Sequence, residues 1–238
     1  MALLRLDKII ADSSSLTRNE AAALIKSGRV SAGGSVALSR AGKFDPDKDC
    51  IMIDKEPVIY KKYRYFMMNK PRGYISATTD RNSKTVIDLL DIEHRKLGLF
   101  PAGRLDKDAE GLLLLTNDGD IAHRIMSPAG SIDKCYFVEI DGSITSKEIR
   151  LFKEGLTLGG GTKCLPAELK AAPGGVYLTL REGKYHQVKL MMAAVGKPVK
   201  HLTRVSVGGL KLDENLKPGE YRELEGEVLR IFNDLETN

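Results

Sequence analysis

Leu3, Leu6, Ile9 and Ile10 recur at helical spacing, which predicts a short amphipathic helix over residues 3–11. The polar run Asp12-Ser13-Ser14-Ser15 breaks it. Thr17 and Glu20 then stand in the T-x-x-E arrangement of a capping box, where each side chain satisfies a free backbone amide. The helix that follows runs through Ala21, Ala22, Leu24 and Ile25 and ends at Gly28. Val30-Ser31-Ala32 predicts a strand, and Gly33-Gly34 a tight hairpin turn. Two short helices and a hairpin thus occupy residues 1–57, with residues 45–49 as an internal loop and Glu56-Pro57 as the boundary.

A strand-rich second domain is expected over residues 58–238. Tyr63-Arg64-Tyr65-Phe66-Met67-Met68 starts it, and residues 111–116, 136–140, 176–180 and 205–207 are its further strand candidates. Helices are expected over residues 85–91, 120–126, 146–154 and 184–195. The elements mix without regular βαβ alternation, so the fold class is α+β rather than a doubly wound sheet.

Composition narrows the class. The chain has 238 residues, 42% hydrophobic and 29% charged, the balance of a soluble globular protein. No apolar run approaches the roughly 20 residues of a membrane helix, and the N-terminal segment, charged at Arg5, lacks the apolar core of a secretory signal. Cys50, Cys135 and Cys164 lie far apart and offer no framework of bridges, which fits a reducing cytoplasm. The four histidines are equally scattered, so no zinc site is expected. Net charge is +5, and the positive charge is concentrated in the first half of the chain. Arg5, Lys8, Arg18, Lys26 and Arg29 fall on or beside the first two helices, where one basic face would contact phosphates.

The densest chemical signal spans residues 100–120. Leu112-Leu113-Leu114-Leu115 is an apolar run that must be buried, and Asn117-Asp118-Gly119 is a turn that closes it. Just upstream, Arg104, Asp106, Lys107, Asp108 and Glu110 crowd a glycine-flanked loop. A charged loop anchored on a buried strand is where a scaffold positions reactive groups. Asp106, Asp108 and Glu110 are of the type that binds Mg²⁺, but Arg104 and Lys107 oppose cation accumulation, and the calcium-loop spacing is absent. No metal is expected. A paired-carboxylate glycosidase using Asp106 and Glu110 stays open on residues alone.

Residues 5–8, 16–21 and 25–30 resemble the S4-type RNA-binding domain, with Gly33 standing where that family usually has Asn. Gly103-Arg104-Leu105-Asp106 through Gly119 closely resembles the signature of the ribosomal small-subunit pseudouridine synthase A family. Asn69-Lys70-Pro71-Arg72-Gly73, Asp88-Leu89-Leu90, Lys134-Cys135-Tyr136, residues 182–189 and residues 203–210 resemble that family's other blocks, in the same order. A lone R-L-D would mean nothing; the ordered set covers nearly the whole chain.

The resemblance implies a small S4-like RNA-binding domain followed by a mixed, largely antiparallel-sheet catalytic domain. It implies that Asp106 is the catalytic carboxylate of uridine isomerisation in ribosomal RNA, with Lys189 as its cationic partner where many relatives carry Arg, and Tyr136 as the pocket tyrosine. Two routes fit Asp106: covalent attack, or stabilisation of positive charge on the sugar. The substrate contains every atom of the product, so no cofactor is expected. Arg104, Lys70, Arg72, His186 and Gln187 are expected to contact RNA, with His186 and Gln187 alternatively placing the Lys189 helix. Leu190 departs from the family, where a second basic residue often stands. The implied partner is ribosomal RNA or a subunit assembly intermediate, the small subunit's first, met by a monomer. The large subunit, a non-catalytic RNA-binding or ribosome-assembly protein, and a nucleoside glycosidase are the rival readings.

Overall fold

The computed structural model describes residues 3–14, 16–127 and 132–233. Ser15, part of the expected break after the first helix, lies outside them. The chain divides into two compact units, Met1–Arg64 with Asp91–Gly98, and Tyr65–Leu90 with Leu99–Asn238.

The first unit holds β1 (Leu4–Arg5), α1 (Leu6–Ser13), α2 (Arg18–Lys26), β2 (Val30–Ala32), β3 (Ser35–Val36), β4 (Lys43–Phe44), β5 (Ile51–Ile53), β6 (Glu56–Pro57) and α3 (Ile92–Arg95). The expected capping box forms: Thr17 Oγ1 accepts from Glu20 N at 3.2 Å, and Glu20 accepts from Thr17 N at 2.6 Å. Its acceptor role at a helix start holds the Glu20 carboxyl below the usual range, chiefly through the Thr17 amide. Gly33 and Gly34 both take positive φ, as a two-residue hairpin turn between β2 and β3 requires. Leu6, Ile9 and Ile10 of α1 pack with Ala21 and Ile25 of α2 and with Val30 and Ile51. The expected boundary at Glu56-Pro57 falls inside the unit. These two residues form a strand paired with β5, and the unit continues to Arg64.

The second unit contains β7 (Tyr65–Lys70), a 3-10 turn (Val86–Leu89), β8 (Phe100–Pro101), β9 (Glu110–Thr116), α4 (Gly119–Met126), β10 (Lys134–Glu139), α5 (Ser146–Glu154), β11 (Glu168–Ala172), β12 (Gly175–Leu180), α6 (Gln187–Ala194), β13 (His201–Val207), β14 (Leu210–Lys211), β15 (Tyr221–Glu223) and α7 (Glu227–Asn233). The strands form one sheet in the order β11-β12-β10-β13-β9-β7-β15, with β14 on β13 and β8 on β9. Every pairing between these strands is antiparallel except β13 with β9, which run parallel at Thr203↔Glu110 and Arg204↔Gly111.

The leucine run therefore lies at the middle of the sheet and is buried on both faces. Leu112 and Leu114 pack with Tyr65 and Met67 against Ile121 and Ile125 of α4 and Val228 and Phe232 of α7. Burying one such leucine stabilises the fold by about 2 kcal/mol. Asp118 caps α4 by accepting from the amides of Asp120 and Ile121, and it also accepts the Tyr65 hydroxyl at 2.6 Å. No helix among the described residues is long and apolar enough to cross a membrane.

Candidate active site

Three neighbouring strands assemble the site. Arg204 on β13 sits opposite Tyr136 on β10 and opposite Gly111 on β9. Gly111 has φ +99°, and a Cβ there would come within 2.3 Å of the Arg204 carbonyl oxygen, so only glycine lets β9 approach β13. The loop over residues 102–109 emerges at this junction and carries Asp106 into a cleft of about 590 Å³. Tyr136 and the 183–189 segment line the same cleft.

Asp106 Oδ2 lies 3.0 Å from Lys189 Nζ and 3.7 Å from His186 Nε2. Lys189 also donates to Asp108 Oδ1 at 2.6 Å. Burial pulls the Lys189 pKa down, but the bonds to Asp108 and Asp106 and their charges outweigh it, so the pKa is raised. The Lys189 bond holds the Asp108 carboxyl below its ordinary value. One cation thus serves two carboxylates. Tyr136 is buried in the cleft wall, beside a register shift between β10 and β13 at which Val205 is the extra residue on β13.

The loop itself is braced from within. Lys70 is 0% exposed, and its ammonium donates to the carbonyls of Pro71, Asp106 and Ala109 at 3.1, 3.0 and 2.7 Å. Burial lowers its pKa to about 8, against the pull of Asp108, Glu110 and Asp106. Ser76 Oγ donates to the Leu105 carbonyl and accepts from the Leu105 amide, both at 3.0 Å. Buried Arg204 donates from Nε to the Leu112 carbonyl at 2.8 Å and from Nη1 to the Arg104 carbonyl at 3.4 Å.

Two expected RNA contacts are corrected by this arrangement. Lys70 cannot reach a phosphate, because it lies in the interior and spends its protons on loop carbonyls. Gln187 is 3% exposed; its amide donates to Glu182 while its Oε1 accepts from the Lys184 amide at 2.8 Å. It places the start of α6, and with it Lys189. Arg104 and Arg72 are exposed; Arg72 donates to His201 Nδ1 at 3.0 Å, and Arg104 lines the cleft. His186 caps α6 in the left-handed region at φ +49°, which starts that helix three residues later than the expected 184.

In the first unit Arg5, Arg18, Lys26 and Arg29 are exposed and Lys8 is half-buried. Arg5 pairs with Asp7, Lys8 with Asp12 and Arg29 with Asp54. Among the described residues, no three His, Cys, Asp or Glu side chains converge as a metal set.

Ser76 and Arg204 escaped sequence reasoning, since each acts through a loop far along the chain. The structural pairing of Asp108 with Lys189 was likewise not legible from its position beside Asp106. Arg204 did carry one signal: a charged residue between Thr203 and Val205 in a strand otherwise suited to burial.

A family model described as RNA pseudouridylate synthase matches residues 64–194. The chain is 46% identical over 236 residues to the uncharacterized RNA pseudouridine synthase YtzG of Bacillus subtilis, covering 97% of this chain and 99% of that one. It is 40% identical over 229 residues to the ribosomal small subunit pseudouridine synthase A of Escherichia coli, covering 95% and 98%. A solved structure titled as a pseudouridylate synthase is similar at a TM-score of 0.67 and 36% identity, covering 96% of this chain and 99% of its own. With a carboxylate–lysine cleft at the matched segment and near end-to-end similarity to such enzymes, the chain belongs to the RNA pseudouridylate synthase family.

Proposed function

We propose that this protein converts one uridine of small-subunit ribosomal RNA to pseudouridine, with Asp106 as the reacting carboxylate. The observation that carries the reading is the 3.0 Å ion pair of Asp106 with Lys189 in a cleft shared with Tyr136. The choice of small-subunit RNA is supported by the name of the Escherichia coli relative.

In this reaction the N1–C1′ bond breaks, the uracil turns, and C5 joins C1′. The C5 proton leaves and N1 gains one, so atoms balance without a cofactor. Asp106 supplies negative charge at the sugar, by covalent attack or by electrostatic stabilisation. Lys189 favours the charged carboxylate and fixes its direction as a point charge. Tyr136 offers a ring to the detached base and a hydroxyl near its C5. The uridine must leave its stack first, at a cost of a few kcal/mol. Exposed Arg104 and Arg72 offset that cost at the phosphates, and Arg104 can fill the vacated place in the helix. The first unit, read as S4-type, docks on ribosomal RNA or an assembly intermediate through exposed cations such as Arg18 and Lys26.

The test is tritium release from small-subunit ribosomal RNA carrying C5-tritiated uridine. Wild type should release tritium and leave pseudouridine at one site, and Asp106→Asn should stay at background. Background release by both, with RNA still bound, would favour a binding or assembly protein. Release from large-subunit RNA alone would reassign the substrate. Free uracil in solution would identify a glycosidase.

A further inference from the structure

Tyr185 is 80% exposed, yet its ring is not unsupported. Its ring stacks on the His186 imidazole, with centroids 3.8 Å apart and planes inclined by 17°. His186 in turn is fixed by its left-handed backbone at the start of α6. The segment is tied down on both sides. Gln187 bonds to Glu182 and to the Lys184 amide, Glu182 accepts from the Leu165 amide at 2.9 Å, and Lys184 Nζ donates to the Lys163 carbonyl at 2.5 Å. A rigid exposed ring loses little conformational freedom when something planar stacks on it. Both rings line the cleft that contains Asp106.

Position decides what stacks there. His186 Nε2 is 3.7 Å from the Asp106 carboxylate, and the Tyr185 ring stacks on that same imidazole. The ribose that reacts must sit at Asp106, and its base belongs with buried Tyr136. The exposed pair is left for the next base along the strand. The cations Arg104, Lys107 and Lys184 line the same cleft, so the phosphates on either side of such a base have partners.

We infer that the Tyr185–His186 pair is a stacking platform for an unpaired nucleobase adjacent to the target uridine. The inference rests on the RNA-modifying reading and adds a determinant of substrate choice. Stacking tolerates every base but favours the larger ring system, so a purine is preferred at that position.

The experiment uses full-length protein and a substrate RNA with 2-aminopurine placed in turn at each nucleotide flanking the uridine. In the Asp106→Asn background, binding should quench the fluorescence at one flanking position. Tyr185→Phe should keep the quenching and Tyr185→Ala should abolish it. In the active enzyme, Tyr185→Ala should raise KM roughly 5- to 100-fold, with a smaller effect on kcat, and Tyr185→Phe should restore it. An abasic nucleotide at the quenched position should raise KM for wild type but add nothing to Tyr185→Ala. Quenching that survives in Tyr185→Ala at every position, or a KM within twofold of wild type, would overturn the platform. Quenching that depends on Tyr185 without any tritium release would sink the catalytic reading and leave the platform standing. Release with an indifferent Tyr185 would do the reverse.

Discussion

Two lysines meet the loop over residues 104–109, one in the cleft and one in the interior. Lys189 faces carboxylates, Asp106 at 3.0 Å and Asp108 at 2.6 Å, and its pKa is raised. Lys70 faces only backbone carbonyls, and burial drags its pKa down to about 8. The same side chain thus does two jobs. Paired with carboxylates it ties two side chains of the cleft together; paired with carbonyls it braces the loop that carries them.

The comparison breaks most sharply at Lys189. Lys189→Ala should lower kcat by about 10²- to 10³-fold, the usual cost of losing one preorganised charge at a reacting centre. Lys189→Arg should recover most of it, and RNA affinity should move little. A loss confined to RNA affinity would show that Lys189 is a phosphate contact instead.

Lys70→Met should lower kcat by about 10- to 100-fold, since a misplaced loop misplaces Asp106. Its second signature is a pH slope. Below about 8 Lys70 is protonated in both folded and unfolded chains, so it adds no pH dependence there. Between about 8 and its unfolded value near 10.5 the unfolded chain holds the extra proton, so folded stability rises with pH. Urea unfolding of wild type minus Lys70→Met should therefore gain about 1.4 kcal/mol per pH unit across that window. A flat difference would mean that Lys70 is not held as the structure has it.

The smallest effect belongs to Asp108→Asn. Lys189 keeps Asp106 but loses a partner that raises its pKa, so kcat should fall only a few-fold. The alkaline limb of the pH–rate profile should move to lower pH, and an unmoved limb would detach Asp108 from the pair.

Much of this arrangement was legible in the chain. The run from Leu112 to Leu115 is too apolar for anything but a buried strand, and the Thr17/Glu20 box and the Gly33-Gly34 turn are local devices that act where they stand. The edge strand β11, with the sequence E-L-K-A-A, gave no signal, because it lacks the branched and aromatic residues that strands favour. The expected helix over 85–91 forms as a 3-10 turn at Val86–Leu89, stapled by Thr85 and Asp88. Lys70 was misread for a physical reason. Beside Pro71 and Arg72 it looks like one more surface cation, and its carbonyl partners lie up to 39 positions away. Long-range satisfaction of a buried polar group leaves no local trace, and the same holds for Ser76 and Arg204.

The parallel contact between β9 and β13 has a consequence for how the enzyme fails. It is a seam dividing the sheet into two antiparallel halves, stapled by the Arg204 guanidinium. One half delivers Asp106, and the other delivers Tyr136 and Lys189. Neither half owns the whole of the proposed reaction centre, so on that reading turnover gauges whether the two remain joined, and heat or denaturant that parts them should silence the chemistry even while each half keeps its own ladder.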